Sequence, residues 1–305
     1  MYPLKFTPIV LPKIWGEEAW LLSGHGENMS LVNNGYLKGN SLDELIEVYM
    51  DELLGQHVFD KYGSSFPLLF KRITAQDRLS IQVHPNDEQA AQANSFGKSE
   101  MWYVTEASSE AKVVMGFANK TNSKQVKQAI EDLTLPELVN NVAVNRGDMF
   151  YIPAGTIHAL CGGTEVLEIQ QSSDLTYRIY DYGRRDDKGN LRQLHVAEAL
   201  DVLDYNRLLQ TTVDYEPIDD EVVRGVSDDH FITNVISLTH PATRDYAMLD
   251  SFVVLMAAEG SFSIESDGEL VDCPNKDLVL LPASSTDVII RPQGANCKIL
   301  EVYVP

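Results

Sequence analysis

Short apolar runs broken by turn-forming residues make up the middle of the chain. Between residues 66 and 182 these runs are FPLLFKRI, RLSIQVH, MWYVTE, AKVVMGF, DMFYIPA, TEVLEIQ and LTYRIYDY. Each run is bounded by Gly, Pro, Asn, Asp or Ser, which is typical of antiparallel strands in a sandwich or barrel and not of βαβ units. The pattern therefore predicts a mainly β fold.

Helical signals interrupt the strands at four places. The segment SLDELIEVYMDELLG has a hydroxyl N-cap at Ser41, a glutamate three residues later and apolar residues at helical spacing, so it predicts a helix that packs on a sheet. A second helical segment, PNDEQAAQANSF, opens at Asn86, and HVAEALDVLDYN predicts a final helix. Residues 119 to about 142 predict a small helical insertion, in which Asn122 and Thr134 can each cap a short helix.

The C-terminal part of the chain repeats features of the middle. An acidic segment, TTVDYEPIDDEVVRG, predicts a linker, and it is followed by the runs FITNVISL, FVVLMAAEG, GSFSIES, DLVLLPAS, TDVIIR and CKILEVYV. GDMFYIPAGTIH aligns with KDLVLLPASSTD, and His158 of the first string is matched by Asp287 of the second. Such a repeat favours two related β-domains. We expect a catalytic domain over residues 1–225, which includes the N-terminal segment and the insertion, and a C-terminal domain over residues 226–305 that has lost the chemistry.

Composition and charge limit the classes of function. The 305 residues are 44% hydrophobic and 23% charged, which is enough for one large or two modest globular domains. With 24 basic against 45 acidic residues the net charge is -21, so neither nucleic acid nor a membrane surface is an expected partner. Three cysteines, the lack of a long apolar run and prolines near the start indicate a soluble protein of the reducing cytoplasm. Monomer and homodimer both stay open.

One motif in the strand region has fixed spacing. Gly147, Pro153, Gly155 and His158 follow the pattern G-x5-P-x-G-x2-H. The first glycine can close a hairpin, the proline can end a strand, the second glycine permits a sharp turn, and the histidine then projects inward on the next strand. The motif resembles the second sequence motif of the cupin family. This resemblance implies two cupin-like jelly-roll β-domains.

A partner strand supplies further candidate ligands. In RLSIQVHPND, Gln82 and His84 are two residues apart, so strand alternation directs both to one face. Glu100 stands at the start of the next apolar run, in KSEMWYV. Two imidazoles, a carboxylate and an amide oxygen suit a divalent ion such as zinc and leave positions for water or a substrate oxygen. The sequence therefore predicts one metal site from Gln82, His84, Glu100 and His158, with Gln in place of the first His of the common cupin pattern.

Four strings resemble a narrower family than the cupins. LSIQVHPND, KSEMWYV, PAGTIHAL and SSDLTYRIYDYGR together are similar to type I mannose-6-phosphate isomerases in their shorter bacterial form, over most of the chain. The resemblance implies one zinc ion per chain, held by Gln82, His84, Glu100 and His158. It also implies an aldose-ketose isomerase that interconverts mannose 6-phosphate and fructose 6-phosphate, a small sugar phosphate, through an enediolate.

The same resemblance implies roles for residues around the metal. Arg178 matches the arginine that the family places beside the reacting carbons, and Lys98 matches the lysine of a K-x-E segment. Lys71 and Ser80 match positions assigned to substrate binding, a group to which Lys98 and Arg178 also belong. Glu168 matches a carboxylate that lines the pocket. The implied catalytic residues are Arg178, Glu168 and Lys98.

Several alternatives stay open on the sequence alone. The base could be Glu168, a neighbouring lysine or a zinc-bound hydroxide, and Glu168 could equally be a hydrogen-bonded structural carboxylate. Two histidines and one carboxylate also form the metal triad of a non-haem iron oxygenase. A non-catalytic cupin that binds a sugar phosphate is a third hypothesis, because a fold does not determine a function. The string RRDD at residues 184–187 is interpreted as a charged turn.

Overall fold

The structure is a computed structural model that describes residues 1–185 and 188–305; Asp186 and Asp187 of the predicted charged turn lie outside the described residues. Strands predominate, so the predicted mainly β fold is confirmed. They are β1 (Ile9–Lys13), β2 (Gly16–Leu22), β3 (Gly24–His25), β4 (Asn28–Met29), β5 (Leu68–Ala75), β6 (Ile81–Val83), β7 (Glu100–Ala107), β8 (Lys112–Phe117), β9 (Val139–Ala143), β10 (Met149–Ile152), β11 (His158–Leu160), β12 (Thr164–Gln171), β13 (Tyr177–Tyr180), β14 (Val222–Ser227), β15 (Ile232–Leu238), β16 (Ala242–Asp245), β17 (Val253–Ser266), β18 (Glu269–Cys273), β19 (Leu278–Leu281) and β20 (Asp287–Tyr303). The helices are α1 (Leu42–Leu54), α2 (Gln56–Tyr62), α3 (Asp87–Ala90), α4 (Ser123–Glu131) and α5 (Val196–Val202).

Among the described helices, none combines the length and the apolar character that crossing a membrane requires.

The chain forms two compact units, each built from separate stretches of sequence. The central unit contains residues 10–18 and 72–213, and the terminal unit contains residues 1–9, 19–71 and 214–305. This grouping differs from a division at residue 225, because the first two helices group with the C-terminal strands. Within the terminal unit, Leu4 forms a β-bridge with Leu280, and the N–H of Phe252 donates to the carbonyl of Leu54. A separate catalytic domain over residues 1–225 stays a prediction.

Two β-sheets carry the strands of the central unit. A five-stranded sheet has the order β13-β6-β11-β8-β9, and a second sheet has the order β1-β2-β5-β12-β7-β10. The chain changes unit within β1, β2 and β5. Side chains from both sheets form one apolar cluster that includes Trp102, Val104, Phe150 and Val166 of one sheet and Val113, Met115 and Leu160 of the other. The two sheets therefore share a core.

The opposite face of the five-stranded sheet is covered by helices. Ile81, Val83, Val114 and Ala159 of the sheet pack in a cluster with Val126, Ile130, Ala199 and Leu203, which lie on or next to α4 and α5. Because side chains alternate along a strand, Gln82 between Ile81 and Val83 points to the other face, towards the shared core. His158 precedes Ala159 and takes the same inward direction. The alternation predicted from the sequence is confirmed for these two strands.

Helix capping follows the sequence signals at three of the predicted starts. The side chain of Asn86 accepts the backbone N–H of Gln89 at 2.9 Å before α3. The side chain of Glu44 accepts the backbone N–H of Ser41 at 2.9 Å before α1, and Asn122 caps α4. The short helix predicted after Thr134 is present only as a single 3-10 turn, Leu135–Glu137, and the Thr134 side chain makes no capping hydrogen bond to it. Pro136 within that turn has no N–H to donate, and the chain then pairs with β8 as β9.

The terminal unit has a sheet of its own. Its strand order is β14-β15-β20-β17-β18, with β16 paired to β20 and β19 paired to β17. Two pairs of predicted runs join into single long strands, β17 and β20. Gly260 within β17 has a φ of +71°, so the strand bends there without ending. β14 begins at Val222, inside the segment that the sequence predicts as a linker.

Candidate metal centre

Three buried side chains converge in the central unit. His84 directly follows β6, Glu100 is the first residue of β7, and His158 is the first residue of β11. All three are buried, and one potential ligand atom from each lies within 4.8 Å of the others. Nε2 of His158 is 3.0 Å from Oε1 of Glu100, and Nε2 of His84 is 3.7 Å from Oε2 of Glu100. Three of the four predicted ligands therefore form one cluster.

Backbone carbonyls orient both imidazoles. Nδ1 of His84 lies 2.8 Å from the carbonyl oxygen of Leu175, and Nδ1 of His158 lies 2.9 Å from the carbonyl oxygen of Thr156. A carbonyl oxygen can only accept, so each Nδ1 carries the proton and each Nε2 keeps its lone pair. Metal-bound histidines usually donate their second ring N–H in this way. The two Nε2 atoms are thus prepared to bind a cation.

The charges around the cluster also favour ligation. Nζ of Lys98 is 3.6 Å from Oε2 of Glu100, and Lys98 is itself buried. Burial raises the pKa of Glu100, but the Lys98 ammonium and the two imidazoles outweigh it and hold that pKa well below its ordinary value. Burial and the Lys98 ammonium hold the pKa of His84 well below its ordinary value. The site therefore presents a carboxylate and a neutral imidazole, the forms that bind metal ions.

These donor atoms fit a divalent metal ion. Nε2 of His84 and Oε2 of Glu100 are buried and have no hydrogen-bond partner within the part of the chain that the structure describes. Leaving a buried polar atom unpaired costs about 1–3 kcal/mol, and a cation bound to their lone pairs would remove that cost. Zinc binds imidazole nitrogen and carboxylate oxygen at about 2 Å, which is compatible with ligand atoms 3 to 4 Å apart. The residues present thus fit zinc.

Gln82 and Arg178 lie on neighbouring strands beside this cluster. Gln82 is opposite His158 in the register of β6 and β11, and its amide nitrogen is 3.5 Å from Nε2 of His158. Arg178 is opposite Gln82 in the register of β13 and β6, so both side chains leave the sheet on one face. Nε of Arg178 donates to Oγ of Ser80 at 3.2 Å, and Nη1 donates to the carbonyl of Gln193 at 3.0 Å. The structure therefore brings Ser80 and Arg178 together.

A buried carboxylate anchors the chain just after β13. Asp181 accepts hydrogen bonds from the side chains of Arg184 and Arg192. Burial raises the pKa of Asp181, but the hydrogen bonds from the two arginines outweigh burial and lower that pKa. This network ties the loop that carries Gln193 to the end of β13, and thereby fixes one acceptor of Arg178.

Glu168 is held by a tryptophan that also contacts His158. Glu168 is opposite Trp102 in the register of β12 and β7, and Nε1 of Trp102 donates to Oε2 of Glu168 at 2.8 Å. The Trp102 ring meets the imidazole of His158 edge to face, with 5.5 Å between centroids. Gln170, two residues after Glu168 on the same face of β12, is opposite Glu100. Glu168 therefore lies one inward-facing position away from the residue that pairs with Glu100. The contact with Trp102 gives Glu168 a structural partner.

Lys71 belongs to the terminal unit and has its own environment there. Lys71 is buried, and its Nζ lies 5.2 Å from the centroid of the Trp20 ring, a cation–π arrangement. A role for Lys71 in binding substrate stays a prediction.

Some residues that shape the site are not found by reasoning from motifs. Trp102 is the fifth residue of KSEMWYV, where its apolar character predicts only a core position. The carbonyls of Leu175 and Thr156 carry no side-chain signal at all, because any residue supplies a backbone carbonyl. Gln193 lies in a loop with no regular pattern. What these groups do depends on the tertiary fold.

The family model and the relatives that this chain matches are all mannose-6-phosphate isomerases. Residues 12–108 match the family model described as phosphomannose isomerase type I, catalytic domain. Mannose-6-phosphate isomerase ManA of Bacillus subtilis (strain 168) is 37% identical over 238 residues, covering 72% of this chain and 73% of that protein. Mannose-6-phosphate isomerase of Streptococcus mutans serotype c is 42% identical over 187 residues, covering 61% of this chain and 57% of that protein.

A solved structure agrees in fold over nearly the full length. The crystal structure of mannose 6-phosphate isomerase from Bacillus subtilis superposes with a TM-score of 0.88 and 28% sequence identity, covering 99% of both chains. The mainly β, cupin-like architecture is therefore confirmed, as is the resemblance drawn from the four sequence strings. This chain belongs to the type I mannose-6-phosphate isomerase family, and it is an isomerase.

Proposed function

We propose that the chain interconverts mannose 6-phosphate and fructose 6-phosphate with one zinc ion, held by His84, Glu100 and His158 and by Gln82 as a fourth ligand. The buried cluster of two imidazoles and a carboxylate, in a chain of this isomerase family, is the observation that supports the proposal most strongly. When bound, zinc would act as a Lewis acid on the sugar oxygens. The reaction removes a proton from C2 of the aldose and returns one to C1, through an enediolate.

Arg178 would stabilise the negative charge that develops on the substrate oxygens. Its guanidinium has five N–H donors, of which Ser80 and the Gln193 carbonyl each take one, so donors remain for a substrate oxygen. Because these two contacts fix the guanidinium before substrate binds, little reorganisation is needed in the transition state. Ser80 would then act in part by positioning Arg178.

Lys98 and Glu168 are the two protein candidates for proton transfer. Lys98 lies 3.6 Å from a proposed metal ligand, so it is close to where the sugar oxygens would bind. Glu168 is buried and accepts a hydrogen bond from Nε1 of Trp102 at 2.8 Å, which holds its carboxyl group in one orientation. The variants Lys98→Met and Glu168→Gln distinguish these candidates. The variant that lacks the base should no longer exchange the substrate C2 proton with solvent, and this exchange is the quantity measured.

The phosphate of the substrate needs local positive charge in a protein of net charge -21. We propose that Lys71, Lys98 and Arg178 supply it, together with the hydroxyl of Ser80. Binding of the phosphate, which takes no part in the chemistry, would orient the reacting carbons. We also propose a cytoplasmic enzyme that is a monomer or a homodimer, in line with its acidic composition and few cysteines.

A coupled assay for fructose 6-phosphate tests the metal requirement. Activity should fall on removal of the metal by a chelator and return when zinc is added. Full activity in protein shown to be metal-free would contradict the proposal. Stoichiometric iron in protein purified without added metal, together with oxygen consumption, would favour the oxygenase alternative instead.

The variant Arg178→Ala tests the role of the arginine. It should keep its zinc content but lose about 10²–10³-fold in kcat, the usual effect of removing one electrostatic donor from a transition state. Arg224→Ala, at an exposed arginine of β14, is the matched control and should keep normal kcat. Unchanged kcat in Arg178→Ala would remove this residue from the mechanism.

A further inference from the structure

The terminal unit contains a polar cleft of about 420 Å³ in volume. It is lined by residues of β15, β17 and β20, of the segment before β14 and of the turn after β15, among them Pro217, Ser237, Thr239, Glu259, Asn296 and Lys298. Pockets that hold small molecules typically measure about 300–1,000 Å³, so this cleft is large enough for a ligand and much larger than one water needs. None of these residues is among those proposed for the isomerase reaction.

A row of polar residues crosses the sheet at the cleft. Ser237 of β15 is opposite Lys298 of β20, and Lys298 is opposite Glu259 of β17. Asp219 extends the row, because it forms a parallel β-bridge with Ser237. Directly opposed residues share a face of the sheet, so these side chains lie side by side. Nζ of Lys298 is 3.3 Å from Oε2 of Glu259.

Ser237 is the residue that points to a ligand. It is 6% exposed, it lines the cleft, and its Oγ has no hydrogen-bond partner within the described residues. A buried hydroxyl without a partner is destabilising, and in native proteins the large majority of such groups are hydrogen-bonded to protein or to an ordered molecule. The next residue, Leu238, packs in the apolar core on the other face of the sheet. Alternation therefore fixes the direction of the Ser237 side chain, away from that core and into the cleft.

The backbone around the row has an irregular shape that opens the sheet surface. The register of β17 against β20 shifts on both sides of Glu259. Gly260 follows with a φ of +71°, and a Cβ added there would lie 2.0 Å from the carbonyl oxygen of Asn296. Strand irregularities of this kind are frequent beside binding sites, where they redirect a side chain. Here they place Glu259 and Lys298 together at the edge of the cleft.

We propose that this cleft binds a neutral polyhydroxylated molecule, a polyol or an unphosphorylated sugar. The row offers a hydroxyl, an ammonium and carboxylates next to one another, and vicinal hydroxyl groups can donate to the carboxylate while accepting from the ammonium. Anions are disfavoured, because Lys298 is paired with Glu259 and the chain carries a net charge of -21. Apolar ligands are disfavoured by the charged and hydroxyl side chains that line the cleft.

Ligand-observed saturation-transfer NMR on the full, zinc-loaded chain tests the proposal. The probe is myo-inositol, which has no carbonyl group and cannot be isomerised. We expect saturable binding that persists with the isomerase site filled by excess mannose 6-phosphate. Ser237→Ala should weaken binding about 2- to 10-fold, the effect of losing one hydrogen bond. Lys298→Met should weaken it at least as much, and it is a second test if the serine variant does not fold.

Thr233→Val is the matched control for Ser237→Ala. Thr233 lies on the same strand, its hydroxyl is likewise buried and unpartnered within the described residues, and it is not among the residues lining the cleft. This variant should bind myo-inositol as the wild type does, and isomerase activity should be unchanged in all three variants. The proposal is overturned if myo-inositol shows no saturable binding or is displaced by mannose 6-phosphate. Equal binding by all variants, or binding of 1,4-diaminobutane but of no polyol, would also overturn it.

Discussion

Replacing Glu100 by glutamine should destabilise the metal-free protein strongly, because Lys98 would lose its counter-charge. The Lys98 side chain is 6% exposed, and among the described residues Glu100 is the one carboxylate within 4 Å of it. Glutamine has nearly the same shape as glutamate, so the substitution changes charge with little change in packing. The substitution therefore removes the charge partner of Lys98, and it also changes the contacts of this side chain with the imidazoles of His84 and His158.

The size of the effect follows from the distance and the burial. At 3.6 Å and an effective dielectric constant of about 20, the attraction between the two charges is about 5 kcal/mol. Removing one partner of a buried ion pair is known to cost about 3–5 kcal/mol, since the other charge stays buried. For a unit of this size, that cost corresponds to a fall in Tm of roughly 6–20 °C.

Thermal unfolding of chelator-treated protein, followed by circular dichroism, measures this change without the contribution of the metal. The double variant Lys98→Met, Glu100→Gln removes both charges and should recover most of the lost Tm, because no charge is then left unpaired. A fall of less than about 2 °C in Glu100→Gln, or a double variant no more stable than the single one, would refute the reasoning. In separate samples with zinc, Glu100→Gln should also fail to retain stoichiometric metal.

Three further variants test other contacts. Trp102→Phe leaves the buried Glu168 carboxylate without its indole donor and should cost about 1–3 kcal/mol in denaturant unfolding; no measurable loss would show that Glu168 does not depend on this contact. Asp181→Asn should destabilise most at pH 7, because the arginines lower the pKa of Asp181, and the difference from wild type should shrink below about pH 4 as wild-type Asp181 becomes protonated; an equal difference at pH 7 and pH 3 would contradict this. Gly260→Ala should cost at least about 1–2 kcal/mol, measured by thermal unfolding, because its φ is +71° and the new Cβ would meet the carbonyl of Asn296.

The inward direction of the ligands could be predicted from the sequence because it depends on local alternation. Gln82 lies between Ile81 and Val83, and these two neighbours pack under the helices on the other face. The turn motif before His158 then needs only short-range geometry to direct the imidazole inward. Both features depend on a few consecutive residues, so the local sequence is sufficient to predict them.

Contacts between distant segments could not be predicted in the same way. The carbonyl of Leu175 is 91 positions from His84, and Trp102 is 66 positions from Glu168. No local pattern specifies such partners, since they follow from the pairing of strands far apart in sequence. The helix after Thr134 is only one 3-10 turn for a related reason, because the chain continues directly into β9, which pairs with β8.

The interleaved sequence of the two units has a consequence for how the protein is made. All residues of the central unit have been synthesised once residue 213 leaves the ribosome, whereas the terminal unit combines its first stretches with residues 214–305. The unit that contains the candidate metal centre can therefore complete its strand pairing during translation. Residues 1–9 and 19–71 complete their unit only after residues 214–305 emerge, and apolar surface that stays exposed over that interval is prone to aggregation.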